Sequence, residues 1–350
     1  MHTLVVGGTG FLGGAIVEAL AARGHESALL SRGATARDLP EGVEVLRADR
    51  HGDLGVLRGR SFDLVFDTCA YAPDAVHALL AALGDDVARY VFISSISAYG
   101  RYETPGLTEA REAPDATAED LARAAAVAPA ERSSAMAYGS SYGPLKRACE
   151  RAAEERLGDR ATALRLGLIV GAGDYTDRLT WWVRRFDEAG RRRGRIVPAP
   201  APPERPVQLI DVRDAALFAV RCAEEGLGGI WNVCGEPMPT QELFDAIRAA
   251  TDSAGKVRWR SPATFAAAGA VPWTDVPLMV PDEPVLRHFL EVDASRARTA
   301  GLTMRPLKET LDPLVEWDRS RREVELTCGL SAELEGRVLA GRKAGSEGSR

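Results

Sequence analysis

The sequence predicts an α/β protein with a doubly wound parallel sheet and a smaller C-terminal lobe, on three observations. Short apolar runs alternate with helical patterns through residue 170, which is typical of parallel strands joined by right-handed crossovers. A glycine-rich turn joins the first predicted strand to the first predicted helix. At 350 residues, the chain is also long enough for one large domain and a second, smaller lobe.

The glycine-rich turn follows an apolar strand at residues 4–6 and precedes a helix through residues 15–21. Gly7 permits a tight turn with positive φ, Gly10 removes the Cβ where a pyrophosphate approaches, and Gly13 lets the helix pack closely on the strand. Free N–H groups at the helix start would then bind phosphate. In this context a Rossmann-type dinucleotide site is favoured over a merely structural turn. The expected cofactor-binding residues of the loop are Gly7, Thr9, Gly10, Phe11, Leu12 and Gly13.

The end of the second predicted strand, residues 27–30, bears on the type of cofactor. An acidic residue here suits the ribose 2′-hydroxyl of NAD, whereas arginine suits the 2′-phosphate of NADP. The chain has Ser31 and Arg32 at this point, so NADP is preferred over NAD. The alternative is that Arg32 is a solvated loop residue and that backbone and hydroxyl groups bind the ribose.

Two further strand ends supply candidate cofactor residues. Asp49 follows the third strand, residues 43–46, where its carboxylate either accepts a hydrogen bond from an adenine amino group or caps the next turn. Cys69 and Ala70 follow the fourth strand, residues 62–66. Small residues at the carboxyl end of a parallel strand suit the floor of a ligand crevice.

The fifth strand, residues 89–93, ends next to Ser95. Residues 103–134 are rich in Ala, Glu, Pro and Arg, and predict a surface excursion that carries a short helix at 119–126 and overhangs the site. A long helix is then predicted over residues 142–157.

Tyr142 and Lys146 are four residues apart, so on a helix they lie on the same face. An ammonium beside a phenol stabilises the phenolate and is expected to lower the tyrosine pKa towards that of a general acid or base. Lys146 could also hold ribose hydroxyls of the cofactor. Ser95 is placed to hydrogen-bond a substrate carbonyl or carbinol oxygen and to hold it against Tyr142, as reduction of a ketone requires.

The predicted domain organisation places a cofactor-binding domain at residues 1–170, which ends with a sixth strand at 163–170. A substrate-binding lobe follows at residues 171–335. Within it, residues 207–234 return to the main sheet. Residues 336–350 are small and charged, and predict a disordered tail.

Inside the lobe, an amphipathic helix is predicted at residues 179–193 and a proline-rich connector at 198–206. The basic run at residues 191–195 is interpreted as a solvated helix end, with contact to an anionic substrate group as the alternative. Thr240 is expected to cap a further helix. A final helix is predicted to end near residue 321.

The amino-acid composition bears on which classes of binding partner are expected. There are 44 Lys and Arg against 50 Asp and Glu, and the net charge of −6 argues against a nucleic-acid partner. Five scattered cysteines and five histidines give no metal-ligand spacing. No charged-then-apolar leader and no run long enough to span a bilayer are present, so the expectation is a cytoplasmic protein with a small-molecule substrate, no metal and no membrane partner.

In their order along the chain, these motifs resemble the extended branch of the short-chain dehydrogenase/reductase superfamily, the NAD-dependent epimerase/dehydratase family. The resemblance covers nearly the whole chain. The residues that carry it are Gly7-x-x-Gly10-x-x-Gly13, Asp49, residues 94–100, Tyr142-x-x-x-Lys146, residues 208–215, Trp231-Asn232-Val233 and Arg305-Pro306-Leu307.

The resemblance implies roles for the central residues. Tyr142 would be the acid/base, Lys146 would lower its pKa and bind ribose, and Ser95 would orient the substrate oxygen. Ser97 is the weaker candidate for the serine role. The family's dehydratases have an Asp-Glu pair directly after the catalytic hydroxyl residue, where this chain has Ile96 and Ser97. The chain therefore lacks the acid and base of a dehydratase. Relatives commonly pair as homodimers through the helices before and after strand five.

The predicted function is an NAD(P)-dependent oxidoreductase that interconverts a ketone and a secondary alcohol on a small or sugar-like substrate. The alternative is a (nucleotide-)sugar epimerase that uses the same triad with a retained cofactor, although an asparagine usual after strand six is absent from residues 165–171. A non-catalytic nucleotide-binding sensor is a third, less favoured interpretation. Polar residues available to a substrate, or else engaged in loop capping and surface pairing, are Ser97, Tyr99, Arg178, Arg205 and Gln208.

Overall fold

The computed structural model of the chain describes residues 1–33, 38–84, 86–191 and 196–341. The strands of these residues are β1 His2–Val6, β2 Glu26–Ser31, β3 Glu44–Arg47, β4 Leu64–Asp67, β5 Arg89–Ser95, β6 Ala161–Leu166, β7 Leu168–Val170, β8 Ile196–Pro200, β9 Pro206–Asp211, β10 Gly229–Val233, β11 Pro237–Pro239 and β12 Lys256–Arg260. The helices are α1 Phe11–Ala22, α2 Pro73–Leu83, α3 Ala118–Ala126, α4 Tyr142–Leu157, α5 Arg178–Arg191, α6 Val212–Glu225, α7 Thr240–Thr251, α8 Pro262–Ala268, α9 Ser295–Thr299, α10 Leu307–Arg319 and α11 Ala332–Ala340.

Seven parallel strands form the central sheet in the order β10-β6-β5-β4-β1-β2-β3. Alternate residues of each strand point to opposite faces, so Val5 packs in a core with α1 and α6 while Leu4 and Val6 pack in a core with α2 and α4. Because both faces are covered, the strands are apolar almost throughout. The predicted α/β fold with a doubly wound parallel sheet is confirmed.

The C-terminal lobe has its own small sheets and core. One sheet has the order β11-β9-β7, and a second pairs β12 with β8. The core between these sheets and the lobe's helices contains Trp182, Phe186 and Phe244, which are each at most 1% exposed. Trp182 packs against Phe244 with ring centroids 4.6 Å apart and the rings tilted by 40°, which contributes to the apolar burial that holds the lobe together.

The junction between domain and lobe differs from the predicted sixth strand at residues 163–170. That apolar run divides at Gly167 into β6, in the central sheet, and β7, in the sheet of the lobe. A Cβ at Gly167 would lie 2.9 Å from the Cys234 sulfur, so a side chain has little room there. Residues 207–234 were predicted to return to the main sheet. Of these residues, β10 does so by pairing with β6, whereas β9 pairs with β7 and β11 in the sheet of the lobe.

Three other local predictions are wrong. Part of the predicted connector at 198–206 is strand β8, which uses its backbone to pair with β12 despite its prolines. Thr240 is the first residue of α7, and its hydroxyl donates to the Arg205 carbonyl 2.7 Å away instead of capping the helix. Helix α11 includes residues 336–340, which were assigned to the tail. Residues 342–350 of that tail lie outside the described residues.

The predicted helix at 179–193 is observed as α5, and arginine–carboxylate pairs join it to α10 and the turn that follows. Asp187, 3% exposed, accepts from Arg319 at 2.6 Å and also pairs with Arg322. Arg184 donates to Asp318 at 2.7 Å. These buried carboxylates are tolerated because their charges are paired and hydrogen-bonded. Of the predicted basic run, residues 192–195 lie outside the described residues.

Two glycines in helices offer a matched test of packing. A Cβ at Gly13 of α1 would overlap the Gly7 carbonyl oxygen, whereas a Cβ at Gly336 of α11 would meet nothing within 4 Å. We expect Gly13→Ala to lower the free energy of unfolding by about 1–3 kcal/mol through overpacking. Gly336→Ala should raise it by about 0.5–1 kcal/mol, because alanine favours the helix. Urea unfolding followed by circular dichroism measures both, and equal stability of Gly13→Ala and wild type would contradict the close packing.

Candidate active site

The glycine loop has the geometry that the sequence predicts for two of its three glycines. Gly7 has φ of 83°, and a Cβ there would lie 2.6 Å from the Thr68 hydroxyl oxygen. Gly13 packs against the Gly7 backbone. Gly10 immediately precedes α1 and donates to the Gly7 carbonyl at 3.0 Å. The first turn of α1, which includes Phe11 and Leu12, therefore begins without a side-chain cap from Gly10, so the helix N-terminus suits an anionic group.

The end of β2 meets both the loop and the excursion. The hydroxyl oxygens of Thr9 and Ser31 lie 3.4 Å apart, and Ser31 Oγ accepts from the Gly33 amide at 3.0 Å. Arg32 is exposed, and its Nη2 donates to the Ser133 hydroxyl at 2.9 Å. The excursion therefore overhangs this corner of the sheet, as predicted.

Asp49 caps a turn. Its Oδ1 accepts from the His51 amide at 3.0 Å, which is the second of the two roles that the sequence allowed. An adenine contact of this exposed carboxylate remains a prediction.

A buried ionic cluster next to Asp49 was missed from the sequence. Arg50 pairs with Asp67, which is fully buried and accepts from the Tyr90 hydroxyl at 2.7 Å. Arg50 also donates to the Ala75 carbonyl at 2.8 Å. Burial raises the pKa of the Asp67 carboxyl, but the Arg50 charge and the hydrogen bonds to it bring that pKa below its ordinary value. The cluster fixes the loops after β3 and β4. In the sequence, the arginine directly after Asp49 and the aspartate that ends β4 were the two residues that could have indicated this ion pair.

Cys69 and Ala70, which follow β4, lie beside the glycine loop and the helix of Tyr142. Cys69 is in contact range of Gly7, since a Cβ at Gly7 would be 3.0 Å from its sulfur. Burial raises the pKa of the Cys69 thiol, so it is a neutral packing group. The Ala70 carbonyl accepts from Lys146 at 2.8 Å. Both residues thus lie at the carboxyl end of β4, beside the glycine loop and α4, and their contact with a cofactor remains a prediction.

Lys146 is 2% exposed and holds two strand ends together. Its Nζ donates to the carbonyls of Ala70, after β4, and Ile93, in β5, at 2.8 Å each. The ring of Tyr71 lies beneath the ammonium, with Nζ 4.6 Å from its centroid. Burial lowers the pKa of Lys146 to about 8, since taking an ammonium out of water disfavours its charge.

Ser95 Oγ accepts from the Ser97 amide at 3.1 Å and lies near enough to Tyr142 to lower the pKa of its phenol. Burial outweighs this effect and raises the pKa of Tyr142 to about 12. The expected lowering of this pKa by Lys146 is not observed. Nζ binds backbone carbonyls and lies 5.9 Å from the Tyr142 ring centroid. The structure thus brings Ser95, Tyr142 and Lys146 together but leaves the phenol protonated.

Two of the predicted substrate residues are structural. Tyr99 is 2% exposed and donates to Asn232 Oδ1 at 2.8 Å. Gln208 is 1% exposed, and its side-chain amide donates to the carbonyls of Gly235 and Val292 at 2.9 and 2.7 Å. Its oxygen accepts from the Val292 amide at 3.1 Å, so the amide is occupied by backbone of the lobe. Neither side chain is placed to bind a substrate.

The other three predicted substrate residues differ in position. Arg205 donates to the Val280 carbonyl at 2.7 Å and packs within the lobe, which makes it a structural group. Ser97 is half-buried beside Ser95. Arg178 donates to the Thr176 hydroxyl at 2.9 Å, and its charge is close enough to lower the pKa of Tyr142. Ser97 and Arg178 therefore remain substrate-binding predictions.

Sequence reasoning missed an aromatic group around Lys146. The rings of Tyr71 and Tyr138 stack with centroids 5.5 Å apart, and Tyr71 lies 6.2 Å from Tyr142. Tyr175, 67% exposed, is near enough to Tyr142 to influence its pKa. Tyr138 lies between the excursion and α4, whereas Tyr175 follows β7 of the lobe. The site is thus bordered by three separate parts of the chain.

Residues 3–85 match the family model described as the NAD dependent epimerase/dehydratase family. Over these residues the match supports the resemblance predicted from the motifs. Solved structures of low sequence identity share the fold. A putative epimerase from Burkholderia cenocepacia J2315 superposes with a TM-score of 0.65 at 20% identity, and covers 91% of this chain and 98% of that one.

Two further matches are a solved structure that shares the fold and a curated protein that matches part of the chain. The UDP-N-acetylglucosamine 4-epimerase from Methanobrevibacter ruminantium M1, solved with UDP-N-acetylmuramic acid, has a TM-score of 0.64 at 19% identity over 91% of this chain and 98% of its own. The 2′-dehydrokanamycin reductase of Streptomyces kanamyceticus is 39% identical over 118 residues. That alignment spans 33% of each chain, so the match reaches only a third of the length of this curated relative.

The described residues contain neither a membrane-spanning helix nor a cluster of metal ligands. Within residues 1–33, 38–84, 86–191 and 196–341, none of the helices combines the length and the apolar character needed to cross a bilayer. In the same described part of the chain, no group of three or more His, Cys, Asp or Glu side chains is arranged to hold a metal ion.

The two hydrogen bonds of Lys146 predict a stability effect. In Lys146→Met the carbonyls of Ala70 and Ile93 lose their buried donor, and leaving such groups unsatisfied costs about 1–3 kcal/mol. Lys308→Met is the matched control, because Lys308 is exposed on α10 and pairs only with the exposed Asp312 among the described residues. Lys308→Met should change the free energy of unfolding by less than about 0.5 kcal/mol. Urea unfolding at neutral pH measures both.

The pH dependence of the same variants has a definite sign. The folded-state pKa of Lys146, about 8, lies below the ordinary value of 10.5, so the unfolded chain binds more protons between these two pH values. Stability from this group therefore rises as pH increases from about 8 to about 10.5. The stability advantage of wild type over Lys146→Met should grow in that window. A constant difference would show that the amine does not titrate there.

Proposed function

We propose that the protein is an NAD(P)-dependent oxidoreductase that interconverts a ketone and a secondary alcohol on a small, carbohydrate-like substrate. The observation that carries this proposal is the convergence of Ser95, at the end of β5, and Tyr142 on the buried Lys146, whose Nζ binds the Ile93 carbonyl of β5 and lies 5.9 Å from the Tyr142 ring centroid. Ser95 ends β5, and Lys146 of α4 binds carbonyls of β5 and of the residues after β4, so the group lies at the carboxyl ends of parallel strands, where open α/β sheets bind their ligands.

The chain's own residues supply the proton chemistry of a ketone reduction. The two hydroxyls of Ser95 and Tyr142 would bind the carbonyl oxygen, and charge that develops on that oxygen is stabilised by preorganised donors. Burial keeps the pKa of Tyr142 at about 12, so at neutral pH the phenol carries the proton that the product alcohol needs. A phenol is a stronger acid than a secondary alcohol, so transfer of the proton to a forming alkoxide is favourable.

The residues of the first half fit a dinucleotide. Gly7 and Gly13 keep the loop free of side chains, and α1 begins next to it. We propose that Gly7, Thr9, Gly10, Phe11, Leu12 and Gly13 hold the pyrophosphate and Asp49, Cys69 and Ala70 the adenosine side, with Lys146 on the nicotinamide ribose. The cofactor, when bound, donates or accepts the hydride. Ser31 and Arg32 favour NADP over NAD, because arginine suits a 2′-phosphate.

The substrate class is proposed from the site and from one relative. The similarity to a 2′-dehydrokanamycin reductase points to a keto group on an amino-sugar or related carbohydrate. Tyr175 and Arg178 provide an exposed ring and a cation beside Tyr142 for such a polar ring compound. Epimerisation is the second candidate, because it would use the same Ser95, Tyr142 and Lys146. Pairing of two copies through α2 and α4, and a cytoplasmic location, are part of the same proposal.

The reaction is tested with Tyr142→Phe and a panel of ketones. We expect wild type to consume NADPH with a keto-aminoglycoside, such as 2′-dehydrokanamycin, or with a related keto sugar. Tyr142→Phe should lower kcat by about 10²–10⁴, the usual range for a general acid. Tyr71→Phe is the control, since its ring is a neighbour of Tyr142 and the variant leaves Ser95, Tyr142 and Lys146 in place. Activity of Tyr142→Phe close to that of wild type would refute the assignment.

The epimerase alternative predicts a different result in the same assay. An epimerase would keep its cofactor through purification and convert UDP-sugars without net consumption of added NADPH. Mass spectrometry of the released cofactor and of the sugar products distinguishes the two. Net, stoichiometric conversion of NADPH with ketone supports the reductase.

The cofactor preference is tested by comparing NADPH with NADH in wild type and in Arg32→Ala. We expect a lower KM for NADPH in wild type. Arg32→Ala removes one charge-assisted contact to the 2′-phosphate. This should raise the KM for NADPH by about tenfold and leave the KM for NADH nearly unchanged. Arg58→Ala, which alters another exposed arginine of the same domain, is the control. Equal use of both cofactors by wild type would mean that Arg32 is the solvated loop residue of the alternative interpretation.

A further inference from the structure

The excursion contacts the end of β2 at one defined point. Arg32 Nη2 donates to the Ser133 hydroxyl at 2.9 Å, although the two residues are 101 positions apart in the chain. This bond leaves other N–H groups of the planar guanidinium to donate elsewhere. The segment at residues 127–134 therefore lies against the corner where a 2′-phosphate would bind.

Arg132 is held in that segment by two bonds. Its Nε donates to the Val127 carbonyl at 3.1 Å, and its own carbonyl accepts from the Tyr138 hydroxyl at 3.0 Å. Tyr138 in turn stacks on Tyr71, next to Lys146. The position of Arg132 is thus coupled to the packing of the active site, and its Nη groups are not consumed by the Nε bond.

His51, in the loop after β3, is near Arg32 and Arg132. Its Nε2 is buried and has no hydrogen-bond partner among the described residues. Burial and the positive charges of Arg50, Arg132 and Arg32 lower the pKa of His51, while Asp49 acts in the opposite sense. His51, Arg32 and Arg132 are therefore close enough in space for their charges to interact.

The stability of the fold alone does not explain why the basic residues Arg32, Arg132 and His51 lie near one another. Arg50 is neutralised by Asp67, but Arg32 and Arg132 make their side-chain bonds to neutral oxygens, those of Ser133 and Val127. Like charges held near one another are unfavourable unless an anion joins them. A phosphate has oxygens for several N–H donors at once, and charge-assisted bonds of this type are strong.

We propose that Arg132 and His51 complete, with Arg32, a binding site for the 2′-phosphate of NADP(H), and that residues 127–134 clamp the adenosine end of the cofactor. The inference rests on the proposed cofactor preference, which by itself involved only Ser31 and Arg32. It gives the excursion a role in selecting the phosphorylated cofactor.

Calorimetric titration of the full-length protein with 2′,5′-ADP and with 5′-AMP tests the proposal, because these ligands differ only in the 2′-phosphate. In Arg132→Ala we expect about a tenfold loss of affinity for 2′,5′-ADP and no change for 5′-AMP. Arg132→Lys should retain most of the affinity, and His51→Gln should lower it in the same selective way. Arg123→Ala is the control, since Arg123 is an exposed arginine of the same excursion that pairs with Glu119.

The outcomes separate this inference from the cofactor preference. Wild-type preference for 2′,5′-ADP that is lost in Arg32→Ala but kept in Arg132→Ala and His51→Gln would overturn the inference alone. Equal affinity of wild type for the two ligands would overturn the NADP preference as well. If Arg132→Ala and Arg132→Lys lost affinity for both ligands to the same extent, the inference would also be overturned. Such a result would assign residue 132 to the folding of the segment.

Discussion

The buried ammonium of Lys146 is the interaction on which the candidate site depends. One side chain of α4 donates to the carbonyl that follows β4 and to a carbonyl of β5, so a helix and two strand ends are fixed by a single group. Tyr142, one turn earlier on the same helix, is positioned by that attachment. Ser95 ends β5, two residues beyond the Ile93 carbonyl. The distance between the two hydroxyls therefore follows from how Lys146 is held.

Buried ion pairs around this point constrain the neighbouring loops. Arg50 and Asp67 fix the ends of β3 and β4, while Glu150 of α4 accepts from Arg165 of β6 at 2.7 Å and from Ser94 at 2.6 Å. Burying such pairs carries a large desolvation cost, so they are weak sources of net stability. Removing one partner would leave an uncompensated charge. Their effect is to allow one arrangement of the strand ends and to penalise others.

The parts of the structure that were predictable are those decided by local pattern. β1 to β5 and α4 follow from apolar runs and helical periodicity, because both faces of the sheet are covered. The division at Gly167 was not predictable, since the apolar pattern continues through it while the chain moves from one sheet to another. β8 was hidden by its prolines, whose missing N–H groups are tolerated on an edge strand.

The same reasoning explains which site residues were predictable. Tyr142, Lys146 and Ser95 are set by spacing on one helix and by the end of one strand. Gln208 and Tyr99 looked equally available for a substrate, but their partners lie 84 and 133 positions away in the sequence. Whether a polar side chain faces a pocket or the interior depends on such distant contacts. No local pattern contains that information.

The opposite pKa shifts of Tyr142 and Lys146 have one physical cause. Burial disfavours charge, so it raises the pKa of Tyr142 to about 12 and lowers that of Lys146 to about 8. At neutral pH the phenol therefore remains a proton donor, while the lysine keeps its charge against two carbonyl oxygens. A neutral phenol beside Ser95 would, in the proposed reaction, protonate the oxygen that becomes basic during reduction, and the phenolate so formed would accept the proton in the reverse direction.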